Sequence, residues 1–522
     1  MAAIAEVGAK DSKKPENEKG KVTIYFGVFF DGTNNHRLQV LIGKKYRKKK
    51  GLENTLSPEE KEIAKDFRLD YQVEEYINKE AESDGMRLER LENFIKGNRK
   101  CNPYDRRYVD YEMRVINENK DNRDSYNSLL GGEADNLKES WYQDDAVHNN
   151  DFTNISLLEP LYKAKKSIED NEYVFRIYVS GCGTDRNISA SNNSLYGSGT
   201  GYGSQGVVEK VKDAVDAIRA KLILLGSDIV DIQYHIFGFS RGAAEARILA
   251  NILSKDTTTE KLVKDITNCK VRAGNVKLVD SQSSVKIPFV GLFDTVSSIG
   301  LDCDDNIKDY GLNVLATTND VENVFHICAL DEFRSHFSLT PVRPMSGKLL
   351  EVFLPGAHSD IGGGYPVGNN KSGFRKSVLL PEFPLKREGR VYKISEETLK
   401  SLGWYKLGDK VQKTLNAILI NRYVKKGYSY ISLHLMLDYA CKKVEGIFQS
   451  TKKFGVPPEI EDYNYTVNSW YENGGVIWPK EDQYIKLRQN YLHFSAQEDG
   501  IVDWIVNEPN LENNTYVRKR YE

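Results

Sequence analysis

Apolar positions along the chain gather in short dense runs separated by long polar stretches. The first run, Val22-Thr-Ile-Tyr-Phe-Gly-Val-Phe-Phe30, is β-branched and aromatic without polar alternation, the pattern of a strand buried on both faces. It stops at the turn sequence Asp31-Gly-Thr-Asn-Asn35. Residues 37–150 are charged and Asn-rich and predict a polar helical insertion. Within it, Ser57-Pro-Glu-Glu60 has a cap, a proline at the first position and a glutamate at the third, the start of a helix. From 150 onward strands and helices alternate. A helix is predicted around Leu157 to Glu169, then the strand Glu172 to Ser180 and a Gly-rich stretch at 197–206. The helix Val207 to Leu225 follows, apolar at 207, 208, 211, 214, 215, 218, 222 and 225. Next come the strand Ile229 to Phe237, the Ala-rich helix Arg241 to Leu253, and the strands Ile287 to Phe293 and Leu349 to Leu354. Val324 to Asp331 reads as a helix.

Alternating β and α elements predict an α/β fold: a mainly parallel sheet with right-handed crossovers and helices on both faces. The expected organisation is a loose tail at 1–20 and a core formed by 21–36 and 151–370. The polar insertion at 37–150 splits that core, and a C-terminal extension at 371–522 caps the sheet or touches a membrane.

Charge narrows the function classes. The 522 residues carry 73 Lys and Arg against 75 Asp and Glu, which argues against a strongly basic nucleic-acid binder and against an acidic solvating protein. Six scattered cysteines without Cys-x-x-Cys spacing argue against a zinc site or a disulfide framework, so no metal is expected. The start lacks the apolar run of a signal peptide, and no stretch has the roughly 18 apolar residues of a membrane span, which predicts folding in the cytoplasm. One local exception to neutrality is Lys44-Lys-Tyr-Arg-Lys-Lys-Lys50, a solvated loop or a contact for anionic headgroups.

The chemistry centres on Gly238-Phe-Ser-Arg-Gly242, between a β-branched strand and an Ala-rich helix, the setting of a nucleophile elbow. Such a turn exposes the Ser240 hydroxyl, and its flanking positions need Gly238 and Gly242 to avoid side-chain clashes. The backbone N–H of Arg241 at the helix start is the natural first oxyanion donor, and a turn at Gly32 would supply a second. A serine needs a base and an orienting acid, here in the order Ser, Asp, His. Asp294 ends an apolar strand, and His358 follows another strand and a Pro-Gly turn. Both therefore sit at the carboxyl rim, where open parallel sheets bind ligands. Of the eight histidines, His493 is the serious rival to His358. Asp31-Gly-Thr33 lacks the nucleophilic aspartate of a phosphatase motif, because Phe29 stands there. Gly362-Gly-Gly364 lacks the Lys of a phosphate loop, and Asp302, Asp304 and Asp305 lack EF-hand spacing.

Five motifs occur in a fixed order: Phe30-Asp-Gly-Thr-Asn34, Gly183-Thr-Asp185, Gly238-Phe-Ser-Arg-Gly-Ala243, Phe293-Asp-Thr-Val296 and Gly356-Ala-His-Ser-Asp-Ile-Gly-Gly-Gly-Tyr365. Together they resemble the α/β-hydrolase family of type VI secretion phospholipase effectors, first lipase class, and its uncharacterised relatives. The resemblance implies an α/β-hydrolase-like fold and a cofactor-free phospholipase that attacks the membranes of competing cells. Motif for motif it assigns Ser240, Asp294 and His358 to the triad, with Asp31 and Asp360 in structural motifs. It further implies a phospholipid membrane as substrate, spike or tube components as export partners and a cognate immunity protein, with no nucleic acid. The alternatives left open are a soluble carboxylesterase or thioesterase and a non-catalytic protein on the same fold.

Overall fold

The computed structural model describes, with short gaps, residues 22–44, 56–64, 150–162, 172–184, 206–225, 229–253, 284–298, 321–342, 348–365, 374–381, 396–448, 454–495 and 511–520. Twelve strands fall among these residues. They are β1 Val22–Phe30, β2 Glu172–Val179, β3 Ile229–Phe239, β4 Ser284–Phe293, β5 Val324–Ala329 and β6 Leu349–Leu354, then β7 Phe374–Pro381, β8 Lys410–Lys413, β9 Ala417–Val424, β10 Gly475–Val476, β11 Leu511–Glu512 and β12 Thr515–Tyr516. Seven form one sheet in the order β10-β6-β5-β4-β3-β1-β2, with every neighbouring pair parallel. The order reverses beside β1 and β3, so their carboxyl ends flank the crevice that open α/β sheets use for ligands. β7, β9 and β8 form a separate antiparallel sheet, and β11 pairs with β12.

Both faces of the main sheet are covered. Ile24, Phe26 and Val28 of β1 point to a core shared with the helices α3 (Val207–Leu225) and α4 (Arg241–Leu253). Phe29, Phe237 and Phe289 point the other way, into a core with α2 (Asn154–Leu158) and the helix Ser429–Lys443, here α6. The α/β expectation therefore holds, down to a first strand buried on both faces (Phe26, Val28, Phe29 and Phe30 are 0% exposed). This is an α/β-hydrolase-like arrangement.

Three expectations change. Val324–Ala329 is a central strand instead of a helix, because its short apolar run satisfies strand and helix templates equally. The predicted helix at Leu157 to Glu169 begins earlier, at Asn154, and passes into a tight 3-10 turn at Glu159–Leu161, where Pro160 interrupts it. The remainder of that prediction, with the Gly-rich stretch at 197–205, lies outside the described residues. The chain after 371 is more than a cap: it contributes β10 to the main sheet and α6 to one face.

Parts of the expected insertion belong to the core as well. Val40, Leu41 and Ile63 are buried in it. The Ser57 start is as predicted: α1 (Pro58–Ala64) carries a reciprocal cap in which Glu60 N–H donates to Ser57 Oγ and Ser57 N–H to Glu60 Oε2. Lys44, first of the basic run, is buried against Asp151 and Glu60, so it cannot meet a headgroup. Residues 45–50 lie outside the described residues. No helix among the described residues is long and apolar enough to cross a membrane.

Candidate active site

Ser240 directly follows β3 and precedes α4, with φ of 62°, the left-handed backbone of a nucleophile elbow. The flanking glycines have a measurable reason. A Cβ on Gly238 would come within 2.2 Å of Gly242 O, and one on Gly242 within 2.4 Å of Asp31 O. Only glycine lets the helix start press against the end of β1. Ser240 N–H donates to Phe293 O at 3.1 Å, which fastens the elbow to the residue before Asp294. Arg241 Nε donates to Ser298 O at 2.9 Å, beyond Asp294. The Arg241 N–H itself stands at the first position of α4, the positive end of the helix.

Asp294 sits at the carboxyl end of β4 with φ of 42° and is 0% exposed. Its Oδ2 meets His358 Nδ1 at 2.6 Å, and its Oδ1 accepts from Ala329 N–H at 2.9 Å. Burial pushes this carboxyl up, but the Arg518 guanidinium and the His358 contact outweigh it and hold it at about 2. His358 opens the short helix α5 (His358–Gly362), wedged between the rings of Phe239 and Phe337 at 4.6 and 5.1 Å. Its backbone N–H donates to Glu332 Oε2 at 3.2 Å. Burial pulls its imidazole below the ordinary 6.5 against the opposing pull of Asp294, so it stands neutral and ready to accept a proton at neutral pH. The structure thus brings His358 to Asp294. It pairs the rival His493 with a different carboxylate, Asp360, at 2.7 Å.

Asp31 and Asp360 are organising carboxylates. Asp31 Oδ1 accepts from Gly32 N–H and Thr153 Oγ1–H, and Oδ2 from Ser156 Oγ–H and Tyr178 O–H, all at 2.6–2.8 Å. That ring ties β1, β2 and α2 together below the elbow. Gly32 N–H is therefore turned onto Asp31, a correction to its expected place as second oxyanion donor. Asp360 Oδ2 accepts from Ala357 N–H, which caps the helix that carries His358.

Three residues around the pair escaped the sequence reading. Arg518 Nη2 donates to Asp294 Oδ2 at 3.0 Å from beyond β12. Glu332 is fully buried, takes bonds from Arg334 and Ser495 and braces His358; no local pattern marks it. His326, on β5, receives Thr295 N–H on Nε2 at 3.1 Å and meets Glu351 through Nδ1 at 2.8 Å, which anchors the residue after Asp294. A polar residue inside the apolar run Val324–Ala329 was its visible signal. His326, Cys328 and Glu351 offer donor atoms within 4.8 Å of one another, but both imidazole nitrogens are occupied by these hydrogen bonds. The His326 bonds position the loop that follows Asp294.

Glu245, on α4 five residues beyond Ser240, is 0% exposed and accepts from Cys182 Sγ–H at 2.8 Å. Burial pushes its carboxyl up to about 8, against Cys182, Lys210 and Arg241. The folded chain then keeps a proton that the unfolded chain releases near 4.5, so stability falls as pH rises from 4.5 to about 8. Glu245→Gln should flatten that decline and raise the melting temperature at pH 8 by roughly 2–4 °C. A wild-type melting temperature that is level across this window would contradict it.

Three comparisons bear on this geometry. Residues 139–385 match the family model described as T6SS, Phospholipase effector Tle1-like, catalytic domain. That segment contains Ser240, Asp294 and His358 but neither Asp31 nor Arg518. Over the whole chain the fold is similar to a solved structure of the Tle1 effector bound to the VgrG spike from the Type 6 secretion system. The TM-score is 0.53 at 21% identity, covering 100% of this chain and 99% of that one. A solved uncharacterized protein from Pseudomonas aeruginosa matches at a TM-score of 0.30 and 15% identity, over 89% of this chain and 52% of that one. Among curated proteins, the uncharacterized protein YEL023C of Saccharomyces cerevisiae is 30% identical over 132 residues, 21% of this chain. The match spans only 19% of that relative's length.

Proposed function

We propose, taking the Tle1-like catalytic segment as premise, that the chain is a serine phospholipase that hydrolyses acyl esters of glycerophospholipids through an acyl-enzyme. The observation that carries the reading is the His358–Asp294 pair, set against a serine held with φ of 62° between a strand and a helix. Ser240 Oγ attacks the ester carbonyl while His358 Nε2 takes its proton, and Asp294 holds the imidazole in the productive tautomer. The Arg241 N–H stabilises the developing oxyanion. His358 then protonates the departing glycerol oxygen, and a water repeats the sequence to release the fatty acid.

Type VI export with a spike component is part of the proposal, supported by the solved relative and the family match. A cognate immunity protein in the producing cell accompanies that reading. The deciding experiment offers the protein vesicles of defined phosphatidylethanolamine and phosphatidylglycerol beside a short soluble ester. Fatty acid should be released from the vesicles. Turnover of the soluble ester alone would replace the phospholipase with a carboxylesterase.

A further inference from the structure

We infer that Arg518 is a positioning residue of the reaction centre: delivered by the C-terminal segment, its guanidinium fixes the Asp294 carboxylate that orients His358. The inference rests on the serine-triad reading above and extends it to a part of the chain outside the matched segment 139–385.

The geometry is specific. Arg518 is 8% exposed, and the hydrogen bond it makes goes to Asp294 Oδ2 at 3.0 Å, the same oxygen that meets His358. Among the described residues its Nε and Nη1 have no hydrogen-bond partner. A buried cation with two unmatched donors is costly to place, so packing alone does not explain its presence. What the position delivers is a positive charge on the Asp294 oxygen that also meets the imidazole.

The segment is fastened two residues later. Arg520 forms a parallel bridge with Leu339, and its guanidinium lies 4.2 Å from the Phe353 ring centroid. Thr340, next to Leu339, donates its N–H to Thr295 O, so this attachment reaches the loop that carries Asp294. The other charges around the pair already have partners. Glu332 is bound by Arg334, His326 by Glu351, and Asp360 by His493. Arg518 is the cation assigned to Asp294.

Removing that charge lets the Asp294–His358 pair take up a proton more readily, since Arg518 opposes protonation of both partners. The test is labelling of the full chain with a fluorophosphonate, read against pH. Ser240 Oγ displaces fluoride from phosphorus and its proton passes to His358, so no lipid is needed. Arg518→Gln should label more slowly, on the order of 10². Its acid limb should move up by roughly one pH unit, and Arg518→Lys should return the limb to its wild-type position. In an Asp294→Asn background, Arg518→Gln should add almost nothing. An Arg518→Gln protein that melts like wild type and keeps the wild-type rate and limb overturns the inference. If that variant does not fold, Arg518→Lys decides through its rate loss, which must vanish in the Asp294→Asn background. A loss that persists there places Arg518 elsewhere. Absence of labelling in wild type itself would count against the serine reading instead.

Discussion

Ser240→Ala is expected to lower kcat by on the order of 10⁶ with little change in melting temperature. That loss corresponds to about 8 kcal/mol of transition-state stabilisation. The size follows from what remains without the hydroxyl. The elbow, the Arg241 N–H and the His358–Asp294 pair all stay in place, yet no atom is left to form the acyl-enzyme. Stability should hold because Ser240 is fastened through its backbone, by Ser240 N–H to Phe293 O and by Val296 N–H to Ser240 O. Alanine at φ of 62° carries a modest strain that serine carries already. Fatty-acid release from vesicles and thermal melting of the same preparations check both halves. Activity retained by Ser240→Ala would remove the basis of the whole assignment.

Asp294→Asn is the second large effect, a fall in kcat of about 10⁴ with KM nearly unchanged. Asparagine keeps the shape, but its amide cannot hold His358 Nδ1–H in the right tautomer while also accepting from Ala329 N–H and Arg518. The change also strands the Arg518 charge, so the variant should melt lower than wild type, unlike Ser240→Ala. Pairing of His493 with Asp360 gives the control, since His493→Ala should leave far more activity than His358→Ala. Equal losses in the two histidine variants would reopen the choice of base.

The parts of this site that were legible in the sequence are those whose chemistry is local. A nucleophile elbow writes its steric demands into five consecutive residues, because Gly238 and Gly242 answer contacts made within one turn and by the end of β1. Asp294 and His358, which the structure pairs, could be singled out because strand ends announce themselves where an apolar run gives way to a turn. Arg518 had no such signal. It lies 224 residues from Asp294 in a polar stretch, and only the completed fold brings the two together. Glu332 and Lys44 fail for the same reason: from sequence each is one more surface charge. His326 was misread at the level of periodicity. β10 was beyond reach, since two residues beside Gly474 carry no strand pattern.

That two-residue strand has a consequence for solubility. Without β10, the six residues of β6 would end the sheet as an open row of amide and carbonyl groups, the template on which sheets add foreign strands. Gly475 and Val476 occupy part of that row: Gly474 and Gly475 enter it with positive φ, and Ile477 N–H extends the pairing by one bond to Phe353 O. The new edge is too short to guide another chain into register. At the β6 end of the sheet this closure leaves a second copy little open backbone to pair with; the opposite end is formed by β2.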